Sequence, residues 1–554
     1  MKTAITRERL TLAIILALAV APYFIGLGSS SLWDSNEAFY AETPREMIES
    51  GDCVNPSFNY QPRFNKPPLS YWVVALSYKA FGVSEMAERI PIALGAMVLV
   101  ATAFTLARII FSYEAAILSA TALAIAPRFL MFSRRIMIDV YLAMFMALAL
   151  LFFVLAEKMP ERRRLFLALM YTAIGFGILT KGPVAILLPA AAFVIYLAVF
   201  RELKKIDRMM IAWGAAIIAI IVLPWYVAVY YEHGWTYIKS FLMLDNISRY
   251  TEGNWGPSRG PLFYIQVALG DMFPWSLFLP AAMWVQARRS KSVANERPAL
   301  LLFIWIAVII VFYSLSRSKE DLYILPIYPA AAALVGGLLA SFVKETLSTR
   351  WRLVTAWTTS LLALVIMATG AAALYLFGQT PHFSLAGATA IGAVALSGGL
   401  LTMATLLMRR RLAAVATSAL TLVAMNWVFT LWTLPDFERF KPVRPFCELI
   451  SARGGEDAMI GYYRFAAPSM VFYLKRPIFE YYYPEEVQSA FSSGKEVYCL
   501  MTRQDYDAIK DSLPAQTYIL ASRPVFQVKL KIVLEKTGPP EVVLISNRDG
   551  ASSR

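Results

Sequence analysis

A polytopic α-helical membrane protein with an outward-facing C-terminal α/β domain is the fold class the sequence predicts, and three observations predict it. Of 554 residues, 58% are hydrophobic and only 16% charged, whereas an average soluble chain carries about 25% charge. Long apolar runs succeed one another as far as residue 433. From residue 434 the composition turns abruptly to short mixed segments punctuated by Gly and Pro. A soluble enzyme and a disordered chain are thereby excluded. So is a β-barrel, whose segments of about ten residues alternate in polarity.

Taken in order, Met1–Arg9 is basic and precedes the apolar run Leu10–Leu27. That run is long for a signal-peptide core and lacks a clear small-x-small cleavage site, so it reads as a first membrane helix with its amino end inside. Further spans are expected near 84–110, 114–130, 136–156, 165–180, 183–200, 210–231, 261–287, 299–316, 322–343, 351–377, 383–408 and 412–433, which makes thirteen. The loops this places inside are 157–164, 201–208, 288–297, 344–352 and 409–411, and each carries three or four Lys or Arg. That is the inner-face bias of membrane proteins. The short turn 111–113 is weaker. An odd number of spans sends the tail outside, giving a membrane domain over 1–433 and an α/β domain over 434–554.

Within the tail, strands are expected at Ala458–Phe465, Met470–Leu474, Glu496–Met501, Phe526–Leu534 and Glu541–Ile545. Helices are expected at Pro442–Ala452, Glu485–Phe491 and Asp505–Ser512. Cys53, Cys447 and Cys499 are too few for a disulfide scaffold or a four-cysteine zinc site and read as structural. His233 and His382 lie in different turns and suggest no metal, so no cofactor is expected.

The net charge of +14 divides. Most cations orient the helices; a smaller set lies on the outer side, against the trend, and is the informative part. The outer loop 28–84 is too long for an idle connection. It sets Asp34, Glu37, Glu42 and Glu46 beside Arg45, Arg63 and Lys66, with helical stretches at Glu37–Ser50 and Leu69–Phe81 suited to the membrane interface. Local pairing in a solvated loop explains any one of these charges. Their combination places a carboxylate and an ammonium at one depth, where the first serves as a base and the second holds a phosphate.

Other outer turns repeat the pattern. Arg128, Arg134 and Arg135 precede Asp139, whose charge pairing with Arg134 or Arg135 would offset; Lys181 closes another turn; Arg317 and Lys319 stand before Tyr323 in a third. For Asp139 a structural ion pair and a site carboxylate are both open, and Lys181 either snorkels or neutralises a phosphate. The aromatics and charges of 232–260, Asp245 and Arg249 among them, read as an interfacial belt.

The segments WDSNEAFYAETPREMIESGD, PRFNKPPLSYW, AERIP at 87–91, SRRIMID at 133–139, LTKGP at 179–183 and SRSKEDLYILPIYP at 316–329 resemble the membrane-embedded polyprenyl-phosphate-sugar transferases. Within that group the chain is most similar to the lipid A 4-amino-4-deoxy-L-arabinose transferases and their relatives, the dolichyl-phosphate-mannose protein mannosyltransferases. The resemblance implies the glycosyltransferase type C fold in a bacterial inner membrane, with the C-terminal domain periplasmic. It also implies an undecaprenyl-phosphate-linked sugar as donor and lipid A or another envelope acceptor as partner, with no nucleic acid. The family's Asp-Glu pair falls at Asn36-Glu37 here, so Asp34 and Glu37 stand as joint first-loop catalytic candidates, with Asp139 matching the second acidic position. Lys66 matches the Lys-Pro position near the carrier phosphate; Arg63, Lys181, Arg317 and Lys319 are the other cations for it, and Tyr40 and Tyr323 the substrate contacts.

Motifs that read the carrier phosphate leave the acceptor open. Aminoarabinose on a lipid A phosphate is the first reading, and a hexose on a protein hydroxyl or a lipopolysaccharide-core sugar the second. A polyprenyl-sugar transporter fits less well, because no half-to-half repeat is seen and the charges gather at outer helix ends. A non-catalytic scaffold would leave Asp34, Glu37, Asp139 and Lys66 replaceable without effect.

Overall fold

The computed structural model describes residues 14, 16–252, 259–292, 297–378, 383–526 and 538–549. Residues 10–13 and 15 of the expected first span, the tip of the 288–297 loop and most of the expected strand at 526–534 lie outside them; within the described part of that first span, helix gives way at Pro22 to a 3₁₀ turn, Ala21–Tyr23.

Among the described residues nine helices are long and apolar enough to cross a membrane, or ten if one bent pair counts as a single span. The protein is a multi-pass membrane protein. Among these helices the segment Asp321–Val343 is the most buried, at 89% of its apolar stretch, followed by Ile138–Lys158 at 72%, while Ile211–His233, at 17%, faces the surroundings. Where an expected span departs from a straight helix, proline is usually the cause. Tyr113–Ala124 and Pro127–Ser133 meet at 70°, because Pro127 holds Ala126 in the extended region. The expected span 261–287 is not continuous: Phe263–Asp271 ends before Pro274, a 3₁₀ turn Trp275–Phe278 follows, and the helix resumes at Leu279–Ser292. The expected span 322–343 opens as a 3₁₀ turn, Asp321–Ile327, containing Pro326. Val184–Val199 has 16 residues, shorter than an upright span of about 20. Helices Thr349–Ala373 and Ala388–Leu407 approach closely through glycine: a Cβ on Gly370 would come within 2.7 Å of that of Ala395.

Between residues 28 and 84 the expected helices form as Asn36–Ser50 and Leu69–Phe81. A small hairpin, β1 (Ser57–Phe58) and β2 (Gln61–Pro62), lies between them.

The C-terminal sheet contains β3 (Met459–Tyr463), β4 (Phe479–Tyr481), β5 (Val497–Thr502), β6 (Tyr518–Pro524) and β7 (Glu541–Ser546), ordered β4-β3-β5-β7-β6. Strands β4, β3 and β5 are parallel, while β7 runs antiparallel to both β5 and β6. The run Met470–Leu474, expected as a strand, belongs to the helix Ser469–Leu474. Its apolar residues are too few to reveal a period, and the helix buries Met470, Val471 and Phe472. Cys447 and Cys499 are buried free thiols, and Cys53 is exposed.

Candidate active site

The candidate site is assembled from segments far apart in sequence. Asn36 and Tyr40 come from the helix Asn36–Ser50, and Lys66 from the turn before Leu69. Asp139 stands in the first turn of Ile138–Lys158, where the helix dipole favours a carboxylate. Lys181 ends the helix Arg163–Lys181, Asp245 lies in the π-helical turn Ser240–Ser248 with Arg249 next to it, and Tyr323 lies in the 3₁₀ turn Asp321–Ile327.

Two cavities meet among these side chains. A polar chamber of about 190 Å³ is bounded by Asn36, Tyr40, Asp139, Glu320 and Asp321. An apolar groove of about 410 Å³ runs past Val184, Leu187, Leu242, Met243, Ile247 and Phe312. Lys66, Lys181, Arg249 and Tyr323 line both. Three cations therefore stand where a polar space opens into an apolar one. Asp245 lies between two of them, 3.6 Å from Lys66 and 3.8 Å from Arg249. These distances are longer than a tight charge-assisted hydrogen bond of about 2.7–2.9 Å.

Lys66 is held through its backbone. Tyr237 donates its hydroxyl to the Lys66 carbonyl at 2.6 Å, Trp225 donates to Val54 O at 3.0 Å, and His233 Nε2 meets Asn55 Oδ1 at 2.7 Å. The loop is thus pinned to the helix Ile211–His233 and the turn after it. Burial pushes the Lys66 ammonium down to about 8, with Asp245 opposing the shift. Lys181 pairs with Asp139 and sits 4.4 Å from the Tyr323 ring centroid. Its turn depends on Gly182, whose φ of +88° suits glycine and whose absent Cβ would come within 2.6 Å of Phe241.

Several sequence-predicted residues lie elsewhere. The Glu37 carboxylate points away from the chamber, forms a two-point ion pair with Arg89 at 2.9 and 3.0 Å, and accepts from Trp33 N at 2.7 Å. Asp34 accepts from Ser469 N at 2.8 Å and Ser469 Oγ at 2.6 Å. Desolvation raises its carboxyl to about 6, against the lowering effect of those bonds. The structure therefore brings neither first-loop carboxylate to Asp139; Asn36 is the residue of that stretch in the chamber. The expected pairing of Asp139 with Arg134 or Arg135 is replaced by Lys181, because the Arg134 guanidinium turns to the carbonyls of Pro22, Ile25 and Gly26.

Among the phosphate candidates, Arg63 stacks 4.2 Å from the Phe39 ring centroid and lines neither cavity. Lys319 is buried and donates to Ser316 O, and Arg317 is exposed. The residues missed are Arg249, Asp245, Glu320 and Asp321. Asp245 and Arg249 had a signal, since they stand four apart on one helical face. Arg89 had one too, as an ionisable residue inside a long apolar run. Among the described residues no group of three or more His, Cys, Asp and Glu could hold a metal ion.

With this geometry in place, the fold can be set beside known proteins. The chain matches ArnT from Cupriavidus metallidurans bound to undecaprenyl phosphate over 98% of its own length and 99% of that chain, with a TM-score of 0.78 at 23% identity. It matches an Archaeoglobus fulgidus oligosaccharyltransferase over 89% of its length and 69% of that chain, with a TM-score of 0.51 at 14% identity. The fold is the glycosyltransferase type C fold. Residues 65–227, which include Lys66, Asp139 and Lys181, match the family described as dolichyl-phosphate-mannose-protein mannosyltransferase. An undecaprenyl phosphate-alpha-4-amino-4-deoxy-L-arabinose arabinosyl transferase of Pseudomonas fluorescens is 30% identical over 61% of this chain and 57% of its own length. One of Pseudomonas aeruginosa is 29% identical over 61% of each. The chain thus spans about three fifths of the length of the curated relatives it matches. The resemblance read from the motifs is borne out: the chain is similar to ArnT in fold and to the curated arabinosyl transferases in sequence.

Proposed function

We propose that the protein is a membrane glycosyltransferase that takes 4-amino-4-deoxy-L-arabinose from undecaprenyl phosphate and places it on a lipid A phosphate at the periplasmic face of the bacterial inner membrane. The observation that carries this reading is the junction of apolar groove and polar chamber at Lys66, Lys181 and Arg249. A polyprenyl phosphate has the matching shape, with an apolar tail, an anionic joint and a polar sugar. The names of the curated relatives support the choice of sugar and carrier.

In the reaction the bond between the sugar C1 and the carrier phosphate oxygen breaks, and the electron pair leaves with the phosphate. Lys66, Lys181 and Arg249 oppose the charge that grows there. An oxygen of the acceptor phosphate forms the new bond to C1. Because that phosphate is already ionised, no general base is needed. Asp139, fixed by Lys181, orients the sugar and receives its ammonium. Tyr40 and Asn36 line the sugar side, and Tyr323 flanks the joint. The C-terminal domain, residues 434–554, caps the membrane domain from the periplasm.

The family match over residues 65–227 favours a second reading, a hexose carried to a protein hydroxyl. Purified protein given either undecaprenyl-phosphate aminoarabinose with lipid A or a polyprenyl-phosphate hexose with a peptide decides between them by mass spectrometry. The expected product is lipid A heavier by one pentosamine on a phosphate. No such adduct, together with transfer of a hexose to a peptide, would refute the first reading.

A further inference from the structure

The polar chamber is charged unevenly. Lys66, Lys181 and Arg249 line both the chamber and the apolar groove, whereas the carboxylates Asp139, Glu320 and Asp321 line the chamber alone. Cations therefore gather at the joint with the groove, and anions stand beyond it. Such a division suits a ligand that is negative at one end and positive at the other.

The three carboxylates are not equally engaged. Asp139 pairs with Lys181. Asp321 pairs with Arg128 through one oxygen and accepts from Leu322 N at 3.0 Å through the other. Glu320 differs: among the described residues its carboxylate accepts no hydrogen bond, its nearest cation is Arg259 at 4.0 Å, and it is 41% exposed. Its backbone is nevertheless fixed. Glu320 precedes the 3₁₀ turn Asp321–Ile327, its carbonyl accepts from Tyr323 N at 3.2 Å, and Arg259 donates to the carbonyl of Lys319 at 2.8 Å. A held backbone thus presents an unengaged carboxylate at a small polar space, an arrangement preorganised for a cation.

We infer that Glu320 is a specificity-determining residue, which receives the ammonium of the transferred sugar together with Asp139 and sets aminosugar donors apart from neutral ones. The inference rests on the proposed function and adds the residue by which its sugar is read. An ammonium has three donors. Asp139 shares its charge with Lys181, and a single carboxylate does not surround all three. Asp321 is taken up by Arg128, so Glu320 supplies the missing acceptor. A hydroxyl on the same carbon offers one donor and no charge, and gains less from the carboxylate.

Equilibrium binding to the full chain in nanodiscs, without acceptor, tests it. The probes are undecaprenyl-phosphate 4-amino-4-deoxy-L-arabinose and the same donor with a hydroxyl in place of the C4 amine. Wild type should prefer the amine by about tenfold or more. Glu320→Gln should cut that ratio by about fivefold or more, and Asp321→Asn should lower it less. The half-exposed position spares the fold, and binding of the hydroxyl donor confirms that the variant is intact. A merely structural role would weaken both donors together and leave the ratio as it was.

Three results would overturn the inference: no preference for the amine in wild type, an unchanged ratio in Glu320→Gln, or a larger fall in Asp321→Asn. If the ratios behave as expected and no sugar reaches lipid A in the transfer assay, the acceptor of the proposed function fails and the role of Glu320 stands.

Discussion

At the scale of single residues the structure separates carboxylates that hold the fold from those that line the polar chamber. Glu37 is 1% exposed and its partner Arg89 2%. Removing one member of such a pair leaves a buried charge uncompensated, at a cost of about 3–5 kcal/mol. Glu37→Gln should therefore lower the melting temperature in detergent markedly, while Asp139→Asn, whose partner Lys181 is more exposed at 14%, lowers it less and reduces transfer by about 10²-fold through lost positioning. Equal melting curves with opposite activities would reverse the assignment.

Burial pushes the Asp34 carboxyl up to about 6 in the fold, from an ordinary value of 3.8. Its folded pKa is raised, so the stability it contributes is fully present below pH 3.8 and is lost as pH rises through 6. Asp34→Asn keeps an acceptor for Ser469 N and carries no charge. It should flatten the dependence of stability on pH between these values and keep most of the transfer activity; thermal unfolding at several pH values checks the first. Lys66 runs the other way in its effect on ligand. Protonated below about 8, it attracts phosphate there, so affinity for undecaprenyl phosphate should fall as pH rises above 8, by up to about tenfold per unit. Lys66→Met should bind more weakly and lose that dependence, as read by titration in nanodiscs.

At the scale of elements, the site depends on helix ends. Asp139 and Lys181 meet because one helix begins and another ends at the same depth, and Gly182 lets the second stop without pushing Phe241 aside. Gly182→Ala should cost more than about 1 kcal/mol and reduce transfer as well, since it displaces the turn that carries Lys181. Adding Phe241→Ala should recover only part of the loss, because the strain at φ +88° remains; melting of both variants measures it. The helices Asn36–Ser50 and Leu69–Phe81 were readable in the sequence because polarity and length marked them off from the long apolar spans. Breaks at Pro127 and Pro274 were less so, since hydropathy stays high across them and a bend leaves composition unchanged.

At the scale of the whole molecule, the C-terminal domain and the first outer loop form one packed unit. Lys441 donates to Ser30 Oγ at 2.6 Å and Ser31 O at 2.7 Å, Asn59 exchanges two hydrogen bonds of 2.8 Å with Ile478, and Tyr473 receives Leu32 N at 2.8 Å. The loop that presents Asn36, Tyr40 and Lys66 is therefore braced from both sides. Removing residues 434–554 should leave the helices inserted, make residues 28–84 readily cleaved by protease, and abolish transfer; limited proteolysis in membranes checks this.

Sequence alone determined the membrane class, the abrupt change near residue 434 and the matches of Lys66, Asp139 and Lys181 to motifs, because hydropathy, charge placement and short motifs are local properties. Which carboxylates face the chamber was a tertiary decision. Asp34 and Glu37 sit within three residues of Asn36, yet Ser469 and Arg89, distant in sequence, claim their charges. Arg249 and Asp321 reach the chamber only because separate turns fold over it. A charge declares its sign in the sequence, whereas its partner is chosen by packing, which brings together residues hundreds of positions apart.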